Sequence, residues 1–179
     1  MKLTSSDSDF RFSFFDKDAT TLRQFTIEDE VRIVPGCYVR NGAHLSKKVI
    51  CMSPSFINIG VSIDENTMID SNVLVGTCAQ IGKHCHISAG TQVGGVLEPL
   101  NANPVIIEDN VFVGGNSSIF EGVIIKKNAV ISTGVSINAS SKIYDIVNSK
   151  TIEKSENAPL TIPSNAVVVQ GTRPILSSE

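Results

Sequence analysis

Apolar residues return at every sixth position along most of this chain. Counted from Ile33, each sixth residue is apolar as far as Val93, and after a shift of two residues the series resumes at Ile107 and runs to Ile143. A period of six fits neither the ~3.6-residue repeat of an amphipathic helix nor the two-residue alternation of a half-buried strand. The eighteen anchor positions with this spacing are Ile33, Val39, Leu45, Cys51, Ile57, Ile63, Ile69, Val75, Ile81, Ile87, Val93, Ile107, Val113, Ile119, Ile125, Ile131, Ile137 and Ile143.

Two further positions of the repeat are selective. The residue four places after an anchor is small or β-branched, as at Thr67, Ala79 and Val123, which suits a crowded corner. The residue directly after an anchor favours Asp, Gly and Ser, as at Asp64 and Gly82, and these are turn-forming types. We therefore expect each repeat to contain a turn.

This pattern predicts an all-β protein, a left-handed parallel β-helix in which each hexapeptide forms one short strand and a turn. Three hexapeptides close a triangular coil of about eighteen residues, and the anchors stack from coil to coil inside it. An ordinary β-sandwich would instead show period-two alternation with turns at varied spacing.

Three segments fall outside the repeat and set the predicted organisation. Residues 1–30 are expected to cap the first coil of a β-helix domain at 31–143, since the end of a solenoid needs cover. The register shift predicts a loop extruded at 96–106, and residues 144–179 are expected to form a hairpin or short extension with a closing strand. The aromatic residues of the predicted cap are Phe10, Phe12, Phe14, Phe15 and Phe25.

Composition and charge exclude several classes of protein. The chain is 41% hydrophobic and 18% charged with a net charge of -3, so it can bury a core and lacks the basic excess of a nucleic-acid or anionic-membrane binder. No apolar run reaches transmembrane length, and the start MKLTSSDSDF lacks the apolar core of a signal peptide, which predicts a cytoplasmic protein. The four cysteines form no CxxC pair, and we expect them to be reduced.

Flat β-helix faces suit side-by-side association, commonly as a closed trimer, with clefts between neighbours for an extended ligand. The strings GTCAQIGK, GGVLEPL and IIEDNVFVG go further than the hexapeptide. From about Arg32 to Tyr144, and more weakly through Val169, the chain closely resembles the tetrahydrodipicolinate N-succinyltransferases of diaminopimelate and lysine biosynthesis, in the hexapeptide-repeat acyltransferase superfamily. The resemblance implies a homotrimer that moves a succinyl or acetyl group from acyl-CoA to the amine of a small dicarboxylate, without a metal.

The resemblance also implies site residues. Asp70, in the string TMID, matches an acidic site residue of the family and is the expected catalytic group, and Arg32 matches an arginine that grips a substrate carboxylate. After IIEDNVFVG the family has an arginine and a glutamate where this chain has Asn116 and Ser118, so the substrate-binding wall is expected to differ. The family also carries a long N-terminal helical domain where this sequence has about thirty residues before the first coil.

For the co-substrate, the resemblance implies a groove along the later coils. Gly115 and the string ISTGV, which holds Ser132, Thr133 and Gly134, match stretches near the thioester, and Lys142 is a cation for the phosphates of succinyl-CoA or acetyl-CoA. Further cations in these coils and the tail are Lys126, Lys127 and Arg173. No GxxxxGK[ST] or GxGxxG loop occurs, so a nucleotide would not be held by those devices.

Alternative functions stay open at this point. The changes at Asn116 and Ser118 favour a diverged acyltransferase with another small amino-acid-like acceptor, and a non-catalytic trimeric homologue is a third possibility. A zinc hydration enzyme would use histidines, of which His84 and His86 are expected to point the same way from one strand. The same His86 could instead be a general base, and Glu121 could replace the missing acid.

Overall fold

The computed structural model describes residue 17 and residues 20–96 and 103–172. Three parallel sheets form the sides of a triangular prism, and one antiparallel hairpin stands apart from them. Sheet 1 contains β1 (Arg32–Ile33), β4 (Ile50–Cys51), β7 (Met68–Ile69), β10 (His86–Ile87), β13 (Phe112–Val113), β16 (Val130–Ile131) and β21 (Val167–Val168).

The other two sheets have six strands each. Sheet 2 contains β2 (Cys37–Val39), β5 (Ser55–Ile57), β8 (Leu74–Val75), β11 (Gln92–Val93), β14 (Ser118–Ile119) and β17 (Ser136–Ile137). Sheet 3 contains β3 (His44–Leu45), β6 (Ser62–Ile63), β9 (Gln80–Ile81), β12 (Ile106–Ile107), β15 (Ile124–Ile125) and β20 (Thr161–Ile162). The hairpin consists of β18 (Ile143–Asp145) and β19 (Lys150–Ile152), and a 3-10 helix spans Ile27–Asp29.

Strand pairing follows the predicted coil length. Arg32 pairs with Ile50, Ile50 with Met68, and Met68 with His86, so each coil takes eighteen residues. With the hexapeptide repeats and these parallel sheets, the protein is a left-handed parallel β-helix, and the predicted fold class is confirmed.

The interior consists of the anchor ladder. Every anchor from Val39 to Ile137 is buried, while the two end anchors, Ile33 and Ile143, are half-buried and pack against the cluster. The small or β-branched corner residues four places after an anchor are also buried, which confirms their predicted role: they include Thr67, Val73, Ala79, Cys85, Thr91, Val111, Ser117, Val123, Ala129 and Val135. Each such side chain is stabilised by removal of apolar area from water, at roughly 25 cal/mol per Å².

Each corner begins with the residue directly after an anchor. The left-handed backbone that each turn needs lies at the third residue after the anchor, as at Asn72 (φ 59), His84 (φ 54) and Asn116 (φ 56). Asn tolerates this conformation better than most residues, because its short polar side chain bonds locally. The residue directly after the anchor is often Gly for another reason: a Cβ on Gly82 would lie 2.8 Å from the backbone nitrogen of Asp109.

The described part of the N-terminal segment lies against the first coils. The N–H of Arg23 donates to the Val39 carbonyl at 2.8 Å, and the half-buried Phe25 packs against the core. Phe10, Phe12, Phe14 and Phe15 fall outside the described residues, so the cap over 1–30 stays a prediction.

Both interruptions of the helix lie at one corner of the prism. The chain between β11 and β12 adds eight residues to the coil, since His86 pairs with Phe112. Of the loop predicted at 96–106, residues 97–102 are not described, Val105 is a buried corner residue and Ile106 already belongs to β12. The hairpin follows β17, and both interruptions therefore leave sheet 2 and rejoin sheet 3, at the corner opposite sheet 1.

The β-helix extends beyond the predicted boundary at residue 143. After the hairpin, β20 pairs with β15 and β21 pairs with β16, which adds a strand to sheet 3 and to sheet 1. The spacing of six was lost in the sequence because the hairpin separates β17 from β20, but the strands after it resume the same register.

All four cysteines are free thiols. Burial raises the pKa of Cys85 to about 11, so this thiol is protonated at neutral pH. Among the described residues, no helix is long and apolar enough to cross a membrane.

Candidate functional site

A carboxylate and an imidazole face each other on the outer side of sheet 1. Asp70 follows β7, His86 begins β10, and Asp70 Oδ2 lies 3.6 Å from His86 Nε2. The two side chains are 27% and 39% exposed, so the pair is supported by the protein yet open to a ligand. At this separation the pair is an ion pair whenever His86 is protonated, and a small rearrangement would bring the atoms into hydrogen-bond range.

The corner holds Asp70 in place through main-chain contacts. Asp70 Oδ1 accepts a 2.7 Å bond from the N–H of Ser71, which leaves Oδ2 for His86. The Asp70 carbonyl accepts from the buried hydroxyl of Ser55 at 2.7 Å, and its N–H donates to Ile87 at 2.9 Å. The carboxylate is thus fixed before any substrate binds.

An exposed aromatic ring borders the pair. Phe112 lies beside His86 in the register of sheet 1, with ring centroids 5.3 Å apart and planes tilted by 55°. Phe112 is 43% exposed, whereas a Phe of a packed core would be covered. The imidazole therefore has a carboxylate on one side and an apolar wall on another, an arrangement suited to moving a proton near an acyl chain.

Arg32 lies on the same face as Asp70 and His86 but not beside them. It is exposed on β1, two strands before β7, and neighbouring strands are about 4.8 Å apart. A long guanidinium on that strand could reach a carboxylate of a ligand that also contacts Asp70.

Asn116 and Ser118 lie around the corner between sheets 1 and 2. Asn116 is an exposed residue of the left-handed turn after β13, and Ser118 is half-buried and points outward from β14, between Gln92 and Ser136. The turn after β7 that begins with Asp70 lies two coils away on the same corner. Within one chain these residues extend the surface of the Asp70 site rather than contact Asp70.

Four of the five residues expected to bind the co-substrate share that corner. Gly115 lies in the turn after β13, and Ser132, Thr133 and Gly134 form the turn after β16, one coil further along. The N–H of Gly134 donates to the Gly115 carbonyl at 2.9 Å. Lys142 is apart from them: it is exposed after β17, at the base of the hairpin, 3.8 Å from Glu153.

Several other candidate residues from the sequence do not contact the Asp70–His86 pair. His84 lies in the turn before β10 and has a left-handed backbone conformation, whereas His86 lies on β10 itself. The expectation that the two side chains point the same way from one strand is therefore wrong. Glu121 lies at the corner opposite sheet 1, where it accepts from the N–H of Ala139. Lys126 is engaged by Glu108 at 2.6 Å, and Arg173 lies outside the described residues.

Sequence reasoning missed the supporting residues of the site. Ser55 and Phe112 were not predicted, although a signal for Phe112 was present: with eighteen residues per coil, position 86 lies beside 68, and position 112 follows once the loop is counted. The pairing of Asp70 with His86 could have been found in the same way. Among the described residues, no group of three His, Cys, Asp or Glu side chains is arranged to hold a metal ion.

Comparisons with known proteins agree with this architecture. The family model described as "Hexapeptide repeat of succinyl-transferase" matches residues 104–139, and the one described as "Bacterial transferase hexapeptide (six repeats)" matches residues 60–95. The acetyltransferase domain of PglB from Neisseria gonorrhoeae, solved with acetyl coenzyme A, has a TM-score of 0.50 at 17% identity over 61% of this chain and 51% of its own. At that identity the likeness concerns the fold alone.

Curated relatives bear the name 2,3,4,5-tetrahydropyridine-2,6-dicarboxylate N-succinyltransferase. The protein of Acinetobacter baylyi is 48% identical over 90% of this chain and 58% of its own length. The protein of Caulobacter vibrioides is 59% identical over 64% of this chain and 41% of its own. The chain thus spans about half the length of these relatives. The predicted resemblance is confirmed, and the chain is a hexapeptide-repeat protein homologous to the tetrahydrodipicolinate N-succinyltransferases.

Proposed function

We propose that the protein is a CoA-dependent N-acyltransferase that moves a succinyl group to the nitrogen of tetrahydrodipicolinate. The observation that carries the chemistry is the Asp70–His86 pair, exposed on the outer face of sheet 1. The choice of acyl group and acceptor is supported by the relatives, which are 47–48% identical over 90% of the chain. The same chemistry would use acetyl-CoA if the acyl site were shorter.

Acyl transfer to nitrogen requires one proton to move. The nitrogen of tetrahydrodipicolinate is part of a C=N bond, so water first adds across that bond and leaves the nitrogen with one hydrogen. The nitrogen then attacks the thioester carbon, a C–N bond forms, the C–S bond breaks, and CoA leaves as a thiolate that is then protonated. In the proposed mechanism His86 accepts the proton that the nitrogen loses, since a neutral imidazole has a ring nitrogen whose lone pair can take a proton. Asp70 orients that imidazole and stabilises its charged form, and its carboxylate also positions the acceptor's N–H group.

Binding is assigned to the surfaces on either side of the pair. Arg32 would form a two-pronged contact with an acceptor carboxylate, which lysine cannot copy. Asn116 and Ser118 would border the acceptor, and the turns with Gly115 and Ser132–Gly134 would follow the extended arm of CoA. Backbone N–H groups in such turns can stabilise the oxyanion that develops on the thioester carbonyl. Lys142 of a neighbouring subunit would meet the phosphates.

The assembly proposed for this function is a homotrimer in the cytoplasm. Asp70 and Ser118 belong to different sheets and do not meet within one chain, so a cleft between subunits would complete the site. The exposed face of sheet 1 supports such a cleft, because its outward residues are mostly apolar: Ile50, Met68, Phe112, Val130 and Val167.

The proposal is tested by measuring released thiol. The protein is incubated with succinyl-CoA or acetyl-CoA and with tetrahydrodipicolinate or a panel of small amino acids. We expect thiol release above background with succinyl-CoA and tetrahydrodipicolinate. Release with another acceptor alone would favour the diverged acyltransferase, to which the changes at Asn116 and Ser118 point. No release with any pair, together with no thermal stabilisation by CoA, would indicate a non-catalytic homologue.

A further inference from the structure

Two of the four cysteines meet at the beginning of the β-helix. Cys37 is the corner residue four places after the anchor Ile33, and Cys51 is the anchor of the next coil, paired with Ile33 in sheet 1. The N–H of Val34 donates to the Cys51 carbonyl at 3.0 Å, and the Val34 carbonyl accepts from the N–H of Cys37 at 3.0 Å. One residue thus links the main chains of the thiol pair, defined as Cys37 and Cys51.

The side chains of the thiol pair are in contact inside the first two coils. Cys51 belongs to the core cluster, and the half-buried Cys37 packs against it. The thiol of Cys51 donates a hydrogen bond to the sulfur of Cys37. The two sulfur atoms are therefore already neighbours in the reduced protein, as the closing of a disulfide requires.

The ladder itself marks Cys51 as unusual. Every other anchor of the repeat is Ile, Val or Leu, including Ile33 and Ile69 on either side of Cys51 in sheet 1. A buried cysteine on its own packs as a small apolar residue and needs no further explanation. Here, however, the one anchor that is not aliphatic lies where the adjoining corner holds a second thiol, so the two positions are best understood together.

The two thiols differ in their access to solvent. Cys51 is 0% exposed, whereas Cys37 is half-buried. The corner residues that follow Cys37 along the prism are Ser55 and Val73, which are 5% and 2% exposed. Cys37 belongs to the first coil and heads this column, and it is the member of the thiol pair that a reagent would meet first.

The same contact favours Cys37 as the attacking group. The hydrogen bond from Cys51 lowers the pKa of the Cys37 thiol below its ordinary value of 9.0, while that contact and burial raise the pKa of Cys51. The thiolate is the nucleophile in thiol–disulfide exchange. The more accessible thiol is therefore also the one that ionises more readily, and the buried thiol is placed to resolve the product.

We propose that Cys37 and Cys51 are a modification site at which a low-molecular-weight disulfide of the glutathione class closes an intrachain disulfide. Cys37 attacks one sulfur of the reagent, a mixed disulfide forms, and the first small thiol leaves with the Cys37 proton. Cys51 then attacks the Cys37 sulfur, and the second small thiol leaves with the Cys51 proton. Two protein thiols are oxidised while one small disulfide is reduced to two thiols, and an excess of small thiol reverses both steps.

The bond would tie the first coil to the second. Cys37 lies on β2 and Cys51 on β4, so the disulfide closes the stretch of chain that leads from one coil into the next. A cross-link of this kind stabilises a folded protein mainly by restricting the unfolded chain. Oxidation is therefore expected to raise the urea concentration at which the protein unfolds.

Oxidised glutathione is the probe, and the folded wild type is the starting material. Of the four free thiols, we expect two to be lost on treatment and to return on reduction. Digestion after Arg40 and Lys48 separates Cys37 from Cys51, and digestion after Glu65 separates Cys51 from Cys78. Mass spectrometry of the unreduced digest should show the Cys37 and Cys51 peptides joined.

Three variants distinguish this site from general oxidation. Cys51→Val keeps an aliphatic anchor and should retain one glutathione on Cys37, because no thiol resolves the mixed disulfide. Cys37→Ala should form neither product, and its unfolding midpoint should not change on treatment. The matched control is Cys78→Ser, which removes the other half-buried thiol and should close the disulfide as the wild type does.

Four results would each overturn the proposal. The first is a folded wild type that keeps all four thiols, and the second is a disulfide that forms only in urea. The third is a joined peptide that contains Cys78 or Cys85 in place of one member of the thiol pair. The fourth is an oxidised wild type that unfolds at the same urea concentration as the reduced protein, or at a lower one.

Discussion

The inner and outer sides of sheet 1 alternate residue by residue and obey different constraints. The inner residues, such as Ile69, Ile87 and Val113, are aliphatic and fully buried in one coil after another. Their outer neighbours are more varied: Met68 and Phe112 are apolar, whereas His86 is polar and Arg32 is charged. The inner residues fill the same triangular space in every coil, so the same residue types recur there. The outer face has no such packing constraint, so its residues can differ from one coil to the next. The fold is therefore specified by the inner positions and the function by the outer ones.

The largest expected effect comes from breaking the inner ladder. Ile81 is 3% exposed and lies between Ile63 and Ile107 in sheet 3, and an unpaired carboxylate at that place would cost several kcal/mol, against a total domain stability of about 5–15 kcal/mol. We expect Ile81→Asp to abolish folding, measured by circular dichroism and light scattering. The matched control is the neighbouring outward residue: Gln80→Asp should fold. Equal melting of both variants would show that the inner and outer assignments are wrong.

The next effect concerns the outer carboxylate. Asp70→Asn should keep CoA binding and lose turnover by about 10²–10⁴, the usual scale for a positioned acid–base group. Asp64→Asn is the control, because Asp64 occupies the same position of the preceding hexapeptide and its Oδ1 likewise accepts from the following N–H, that of Glu65. Unchanged turnover in Asp70→Asn, with an intact trimer, would remove Asp70 from the mechanism.

A smaller effect is expected across the corner from sheet 1. If the protein accepts tetrahydrodipicolinate, Ser118→Glu should leave turnover intact or raise it, since the glutamate that the family resemblance implies at this position is then restored. If the acceptor site was rebuilt for another molecule, the new charge should lower turnover on that molecule. The control is Ser136→Glu, which adds the same charge on the next strand of sheet 2, one coil away. It distinguishes an effect of the charge at position 118 from an effect of the changed net charge of the protein. Identical results for the two variants would show that Ser118 does not border the acceptor.

The smallest effect is on acid stability. Hydrogen bonding to Lys126 holds the pKa of Glu108 below its ordinary value of 4.5. A lowered pKa in the folded state means that the contribution is complete above that ordinary value and is lost as the pH falls through the folded value. Because the pair is partly exposed, Glu108→Gln should cost at most about 1 kcal/mol at neutral pH, and the difference from wild type should shrink in acid.

Urea unfolding at several pH values measures that difference. Glu65→Gln is the control, since its partner Lys83 lies 3.8 Å away, farther than Lys126 lies from Glu108. A Glu108→Gln deficit that grows in acid would reverse the sign of the linkage and contradict the proposed cause.

The inner side of the molecule was predictable from sequence and the outer side only in part. The anchors recur at one spacing, so Cys51 and Ile131 could be assigned to the core without knowing their neighbours. The left-handed turn position was missed because it accepts several residue types, among them Lys48, Cys78 and His84, and so leaves a weak signal. Asp70 was found through a family resemblance, since spacing alone does not distinguish it from Asp64.

Contacts between coils depend on the number of residues in each coil. The position of Phe112 beside His86 follows only when the length of the loop is known, and the return of β20 and β21 follows only when the hairpin is recognised. The hairpin tip could not be judged from sequence at all, because Ile146 and Val147 look like core residues until their exposure is seen.

The most direct test compares two adjacent residues of β10. Turnover per folded trimer is measured by thiol release for His86→Gln and for Ile87→Val, with melting of each variant as the reference. We expect His86→Gln to melt like the wild type and to lose turnover by about 10²–10⁴, because glutamine cannot accept the proton. Ile87→Val should lose about 0.5–1.5 kcal/mol of stability and keep its turnover. Normal turnover in His86→Gln would contradict the assignment of the chemistry to the outer face of sheet 1.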